Sequence, residues 1–290
     1  MTASTPATSP SPVPAAPRRA WWRRLTASRW FVVVGGVWLV AIAGSAMYGL
    51  SHPSPTVREE TTVAGARPVV DQAIARVASA VAADGSAVLA VSSFDPIGAC
   101  DVTVFRTGGR YQRALVAVVA PGTEADLLSR VARALPVSYH AAVTGRAAPR
   151  LSADAGYWVL LSGSVSAPGE VRFVADTGDC RALGNLDARD PTPAVPLTVV
   201  PDVLARLHLP GGNSSTASVS CVDGGALATI EADGPAYSGD LTTALGDPPA
   251  GATVVVDEPS LIAYRTATAQ VAVRAHQDAT LITASTVCSG

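Results

Sequence analysis

The chain has 290 residues, a formal net charge of −2 and a mean hydropathy of +0.30. Its 21 basic residues are all arginine, so P-loop nucleotide hydrolysis, which needs a lysine, is excluded. Residues 1–50 hold five of the arginines and no acidic residue. The remainder therefore carries 16 basic and 23 acidic residues, a net charge of −7. This acidic balance argues against nucleic acid as a partner.

Residues 1–29 predict a disordered cytoplasmic tail, because they are polar and proline-containing without apolar periodicity. The arginines of this tail predict its cytoplasmic side under the positive-inside rule, and they are Arg18, Arg19, Arg23, Arg24 and Arg29. Residues 30–50 are uncharged and apolar, and they predict a transmembrane helix of roughly 31 Å. A cleavable signal peptide is the alternative, since small residues occur at 41–46.

The aromatic residues of this run are the predicted membrane-anchor residues, and they are Trp30, Trp38 and Tyr48. Residues 51–65 predict a juxtamembrane spacer. The predicted location is therefore the cytoplasmic (inner) membrane, crossed once, with the bulk of the chain outside the cytoplasm.

Residues 66–186 predict a first α+β module. A helix is expected from Pro68 to Asp84, and Gly108 and Gly109 predict a hairpin turn. The remaining predicted elements are a helix between Thr123 and Pro136 and strands at 87–92, 100–106, 111–119, 139–144, 156–165 and 170–176.

Residues 187–197 predict a linker, and residues 198–290 predict a second α+β module. Its predicted helices lie at 201–207 and 239–245, and its predicted strands enter Cys221 and span 226–232, 253–256, 261–265, 270–275 and 280–287. The order of elements resembles that of the first module. The predicted fold class is thus α+β, with an N-terminal transmembrane helix followed by two small disulfide-stapled modules that arose by duplication. A single α+β domain is the alternative.

All four cysteines follow the apolar run, and they are Cys100, Cys180, Cys221 and Cys288. Their position predicts two disulfides in an oxidising compartment. Sequence alone allows three pairings; the duplication favours Cys100–Cys180 and Cys221–Cys288. A metal site is not predicted, because there is no C-x-x-C and no histidine beside a cysteine.

No catalytic, metal-binding or cofactor-binding motif is found in the sequence. His140 and His276 are conceivable general bases, although histidines on surface strands are more common. The triplet at 176–178, Asp-Thr-Gly, resembles the active-site triplet of aspartic proteases, which implies a second aspartate that the second half lacks. Tyr157 and Trp158 fall within a predicted strand, where alternate side chains face opposite ways, so one of them could belong to a binding face; core packing is the favoured account of both.

We therefore predict a non-enzymatic binding or assembly protein of the bacterial cell envelope. The lysine-free, alanine-rich composition is typical of a GC-rich genome, such as that of an actinobacterium. The expected partners are another envelope or membrane protein or a cell-wall component, and the lipid bilayer through residues 30–50. No cofactor is expected. The alternatives are an envelope hydrolase that uses acidic residues and histidines, and a sensor subunit that signals through a partner.

Overall fold

The computed structural model describes residues 29–51, 61–190 and 199–288. It divides into two compact units, Met1–Pro55 and Thr56–Gly290. In the first unit, helix α1 spans Arg29–Ser51, and Trp38 and Tyr48 are exposed on it. The side chains of Arg29 and Trp30, and all of the predicted tail up to residue 28, lie outside what the structure describes.

The second unit contains four α-helices and thirteen strands within its described residues. The helices are α2 (Val63–Ala82), α3 (Glu124–Ala134), α4 (Val199–Arg206) and α5 (Leu241–Leu245), and a 3₁₀ turn lies at Val137–Tyr139. The strands are β1 (Val88–Val91), β2 (Asp95–Thr103), β3 (Arg106–Val118), β4 (Ala142–Thr144), β5 (Arg150–Asp154), β6 (Leu160–Ala167), β7 (Glu170–Asp176), β8 (Ser214–Ser220), β9 (Ala226–Pro235), β10 (Thr253–Glu258), β11 (Leu261–Arg265), β12 (Ala269–Ala275) and β13 (Ala279–Thr286).

The strands form two antiparallel sheets with the same internal order. Sheet A runs β1-β3-β7-β6-β5-β4, and β2 also pairs with β3 beyond the end of β1. Sheet B runs β10-β11-β12-β13-β9-β8. In both sheets the second strand of the first hairpin pairs with the last strand of the sheet. Each half of the second unit therefore contributes one sheet.

The predicted fold class is wrong. The described chain consists mostly of two antiparallel sheets with few helices, not of two small α+β modules after a transmembrane helix. Within residues 29–51, 61–190 and 199–288, no helix has the length and apolar character needed to cross a membrane. The predicted inner-membrane location is not tested by these findings and stays a prediction.

Helices cover one face of each sheet. In sheet A, Ile74 of α2 and Leu128 of α3 belong to one buried apolar cluster with Phe173, which lies on the inner face of β7. In sheet B, Leu204 of α4 and Leu241 of α5 belong to a second such cluster. Helices α3 and α4 can each bury one side because their apolar residues recur at helical spacing along that side.

The opposite face of sheet B receives the edge of sheet A. Two backbone amides of β1 point at this face: Leu89 N donates to Gln270 Oε1 and Val91 N donates to Thr229 Oγ1, each at 2.8 Å. Both bonds are buried. They satisfy edge amides that would otherwise lack partners, so the edge strand of one sheet is closed by side chains of the other. Apolar contacts surround the bonds, between Val88 and Leu261 among others.

A buried arginine joins the two halves a second time. Arg113 of β3 has no exposed surface, and its guanidinium donates to Asp190 Oδ1 and to the Ser218 carbonyl oxygen, each at 2.5 Å. Asp190 also accepts from Arg67 Nη2 at 2.7 Å. Asp71 Oδ1 lies 3.0 Å from Arg113 Nε, yet burial raises the pKa of the Asp71 carboxyl despite both arginines. Asp190 accepts a hydrogen bond from Arg113, whereas within the described residues neither Asp71 Oδ1 nor Arg113 Nε has a hydrogen-bond partner, so Asp190 is the principal counterion.

Asp190 belongs to the predicted linker at 187–197, of which residues 191–197 lie outside the described part. Its side chain is 6% exposed, so this position is a fixed structural contact.

The first helix of the second unit begins earlier in the chain than predicted. Helix α2 begins five residues before Pro68, because Val63 N and Ala64 N donate to the carbonyl oxygens of Ala182 and Leu183.

Two disulfides close the two sheets at matching places. They join Cys100 to Cys180 and Cys221 to Cys288, as predicted, with Cα–Cα distances of 5.9 and 5.8 Å. Each bond links the first hairpin of its sheet to the residues that follow the last strand. In the chain-entropy model, closing each of these two loops with a disulfide stabilises the folded state by roughly 4–5 kcal/mol.

We predict that Asp190→Ala lowers the free energy of unfolding by about 3 kcal/mol, because it leaves the buried Arg113 charge without its principal counterion. Urea denaturation of the oxidised chain measures the change. Asp187→Ala is the control: Asp187 is exposed, and among the described residues its carboxylate accepts only from the nearby Arg189 amide, at 3.0 Å, so a change within about 0.5 kcal/mol is expected. Equal effects of the two substitutions would contradict the assigned role of Asp190.

We predict that Thr229→Val lowers the free energy of unfolding by about 1–3 kcal/mol, because the buried Val91 amide loses its acceptor while the side-chain shape is kept. The matched control is Thr216→Val on the neighbouring strand β8, where the threonine is exposed. A loss in the control as large as that at position 229 would show that the edge bond does not carry the effect.

Candidate binding surface at the hairpin end of sheet A

Three segments meet at one end of sheet A. They are the β2–β3 hairpin, the β5–β6 turn at 155–159 and the residues 177–183 that follow β7. The register brings them together, because Asp176 at the end of β7 pairs with Gln112 on one side and with Leu160 on the other. We call this surface the hairpin end.

The β2–β3 hairpin projects beyond the rest of the sheet. Gln112 is the last residue of β3 that pairs with β7, so Arg106–Tyr111 extend past that row by roughly 20 Å. Strand β2 pairs with β3 alone and is exposed along most of its length. The turn residues at its tip are Val104 and Phe105, and each side chain is 93% exposed.

The base of the hairpin is held on both of its strands. The disulfide Cys100–Cys180 ties β2 to the segment after β7. Two backbone bonds then join Gly109 and Arg181, at 2.9 and 3.2 Å. A Cβ atom at Gly108 would collide with the Arg181 carbonyl oxygen. The glycines at 108–109 thus allow two chain segments to approach closely; the prediction that they form the hairpin turn is wrong.

The β5–β6 turn carries two aromatic residues in an unusual conformation. Tyr157 and Trp158 have φ angles of 52° and 60°, in the left-handed region that L-residues seldom adopt. Such strain costs on the order of 1–3 kcal/mol per residue. The turn is held by Asp154 Oδ1, which accepts from Gly156 N at 2.8 Å, and by Arg181 Nη2, which donates to the Tyr157 carbonyl oxygen at 2.8 Å.

This conformation presents Trp158 to solvent. Its side chain is 66% exposed, whereas Tyr157 is 41% exposed and its ring lies 5.4 Å from the Arg181 guanidinium. The sequence analysis placed both residues within a strand and favoured core packing for both. That prediction is wrong: the structure begins β6 at Leu160, and neither aromatic side chain enters the core.

An open cavity of about 560 Å³ lies beside Trp158. Its apolar wall includes Trp158 and Leu160, and its polar wall includes Arg110, Asp154, Asp179 and Arg181.

The charged groups of this cavity are fixed by their neighbours. Arg110 donates to the Gly178 carbonyl oxygen at 2.8 Å and to Asp176 Oδ2 at 2.9 Å. Arg181 is 2% exposed, and burial lowers the pKa of its guanidinium. Asp154 uses one carboxylate oxygen in the turn, and within the described residues its other oxygen has no hydrogen-bond partner. The cavity therefore has preformed walls of both charges.

The protease-like triplet forms a turn in this surface. Asp176 ends β7, pairs with Arg110 and accepts from Gly178 N at 2.6 Å. Thr177 is fully buried, and its hydroxyl accepts from Tyr111 N at 3.0 Å. Gly178 has a φ angle of 75°, which suits glycine at the turn. These bonds account for all three residues as structural.

The histidines considered as bases lie elsewhere. His140 is exposed and ends the 3₁₀ turn in a left-handed conformation. His276 is exposed at a cavity of about 200 Å³ between the sheets, which Glu170 and Glu231 also line. Burial raises the pKa of the Glu231 carboxyl. All the ion pairs within 4.0 Å in the described part of the chain use arginine, so the histidine–carboxylate pair required by the hydrolase alternative is not among them.

The search for metal ligands gives a similar result. In residues 29–51, 61–190 and 199–288, no group of three histidine, cysteine or acidic side chains is placed to hold a metal ion. The hairpin end combines exposed apolar side chains on fixed elements with a cavity. The sequence analysis did not predict the tip, because neither valine nor phenylalanine is a residue type that favours turns.

Comparison of the chain with family models, with curated proteins and with solved structures finds no match.

Proposed function

We propose that this chain is a non-enzymatic binding or assembly protein that works outside the cytoplasm, at the cell envelope, and holds its partner through the hairpin end. The observation that carries the proposal is the apolar tip of the β2–β3 hairpin, Val104 and Phe105, each 93% exposed.

The exposure of an apolar tip to water is unfavourable in free energy, and a partner that buries the tip would remove this cost. Burying a valine and a phenylalanine side chain contributes about 1.5–3 kcal/mol each. Aromatic side chains at the centre of protein interfaces commonly supply a large share of the binding free energy. The hairpin suits this role, because the disulfide at Cys100 fixes its base and little ordering is needed on binding.

The compartment is proposed from the cysteines. Two disulfides that close both sheets are typical of proteins that fold in an oxidising space. Envelope and membrane proteins and cell-wall components are the available partners there. The proposed role for the tip favours a protein partner with an apolar pocket.

We predict that a photoreactive benzoylphenylalanine in place of Phe105, in the full chain and in the cells that make it, forms a discrete crosslinked product on irradiation. Excess unlabelled wild-type chain suppresses the product, whereas a Phe105→Asp chain needs at least about tenfold more protein to do so. Denaturing electrophoresis of the solubilised envelope measures the product.

The matched control carries the same photoreactive residue at Val137, which is also 93% exposed but lies outside the hairpin end. A product of equal yield at position 137 would contradict the proposal. So would equal competition by the wild-type and Phe105→Asp chains, since the tip would then contribute nothing specific.

A further inference from the structure

We infer that the cavity beside Trp158 binds a neutral glycan, with one pyranose ring stacked on the indole. This inference rests on the proposed binding role of the hairpin end and names the class of ligand that its cavity takes. Three properties of the cavity carry it: an exposed indole face, walls of both charges, and a row of hydroxyl-bearing residues that continues from it.

The first property is the indole itself. Trp158 lines the cavity and is 66% exposed although its backbone is strained. Strain of this kind persists only where the surroundings enforce it, and Arg181 and Asp154 enforce it here. The turn thus maintains a flat apolar face in solvent. The C–H bonds on one side of a pyranose ring form a matching flat, weakly positive face for the electron-rich indole.

The second property is the balance of charge. Two acidic and two basic residues line the cavity: Asp154, Asp179, Arg110 and Arg181. An anionic ligand would meet the two carboxylates, and a cationic ligand would meet the two guanidinium groups. Sugar hydroxyls both donate and accept, so a neutral ring satisfies carboxylates and guanidinium groups together. Asp154 has one carboxylate oxygen without a described partner, and Arg110 leaves Nη1 without one in the described residues, so each offers a contact.

The third property is the open face of sheet A. Asp154 pairs with Leu160 at the cavity, and the next row on the same face pairs Ser152 with Ser162. The row after that pairs Arg150 with Ser164. Successive rows lie roughly 7 Å apart, so the face offers polar groups for two or three further sugar units of a chain. A single-ring ligand would not need this row; an oligosaccharide would use it.

The test is binding of the full chain, in a mild detergent, to two neutral tetrasaccharides, cellotetraose and chitotetraose, measured by isothermal titration calorimetry. At least one is expected to bind. Trp158→Ala is expected to weaken that binding at least about tenfold, and Trp158→Phe, which keeps an aromatic face, to weaken it less. Val137→Ala is the control, because Val137 is 93% exposed and lies outside the hairpin end, and it is expected to leave the affinity unchanged. Circular dichroism and disulfide mapping check that each variant is folded.

Absence of binding to both tetrasaccharides up to about 10 mM would overturn the inference, as would equal affinity of the wild-type and Trp158→Ala chains. Oligoglutamate and oligolysine serve as anionic and cationic probes, and Trp158-dependent binding of either in place of the sugars would also overturn it. The photocrosslinking at position 105 separates the two claims. A specific product there without glycan binding leaves the proposed function standing and removes only the ligand class.

Discussion

The docking of β1 onto sheet B is the contact on which the rest of the second unit depends. β1 is an edge strand, and an edge strand leaves a row of amides without partners. Gln270 and Thr229 supply acceptors for Leu89 and Val91 in a buried setting, so the two sheets cannot separate without exposing unpaired polar groups on both sides. Arg113 and Asp190 act in parallel across the same boundary, because Arg113 donates to the carbonyl oxygen of Ser218 in β8 and Asp190 accepts from its amide.

This docking decides which surfaces are left open. Sheet B is covered on both faces, by helices on one and by β1 and β3 on the other. Sheet A is covered by helices on its inner face, but its β2–β3 hairpin and the outer face of β5 and β6 extend past sheet B. The exposed tip and Trp158 both lie in this uncovered region. A rigid body with an open surface suits a protein that binds, because that surface is ordered before the partner arrives.

The local parts of this structure were predictable; of its long-range contacts, the disulfide pairing was predictable and the strand pairing was not. Alternating and β-branched residues predicted β7 and β11 at their observed bounds, and the order of elements predicted both disulfides. The pairing of strands into two large sheets depends on contacts far apart in sequence, and helical and strand patterns do not contain them. The same limit explains the glycines at 108–109, which serve the distant Arg181, and Asp190, whose partner Arg113 lies 77 residues away. Of the candidate surface, neither part was predicted: core packing was the favoured account of Tyr157 and Trp158, and the hairpin tip was not recognised as a turn.

Native-state hydrogen exchange on the oxidised full chain tests most directly whether the two sheets form one cooperative body. The amides of Leu161 in β6, Leu89 in β1 and Val273 in β12 report on sheet A, on the docked edge and on sheet B. One body predicts the same free energy of exchange for all three, equal to that of global unfolding. Exchange of Val273 through a partial opening that leaves Leu161 protected would contradict this account, because the sheets would then unfold separately.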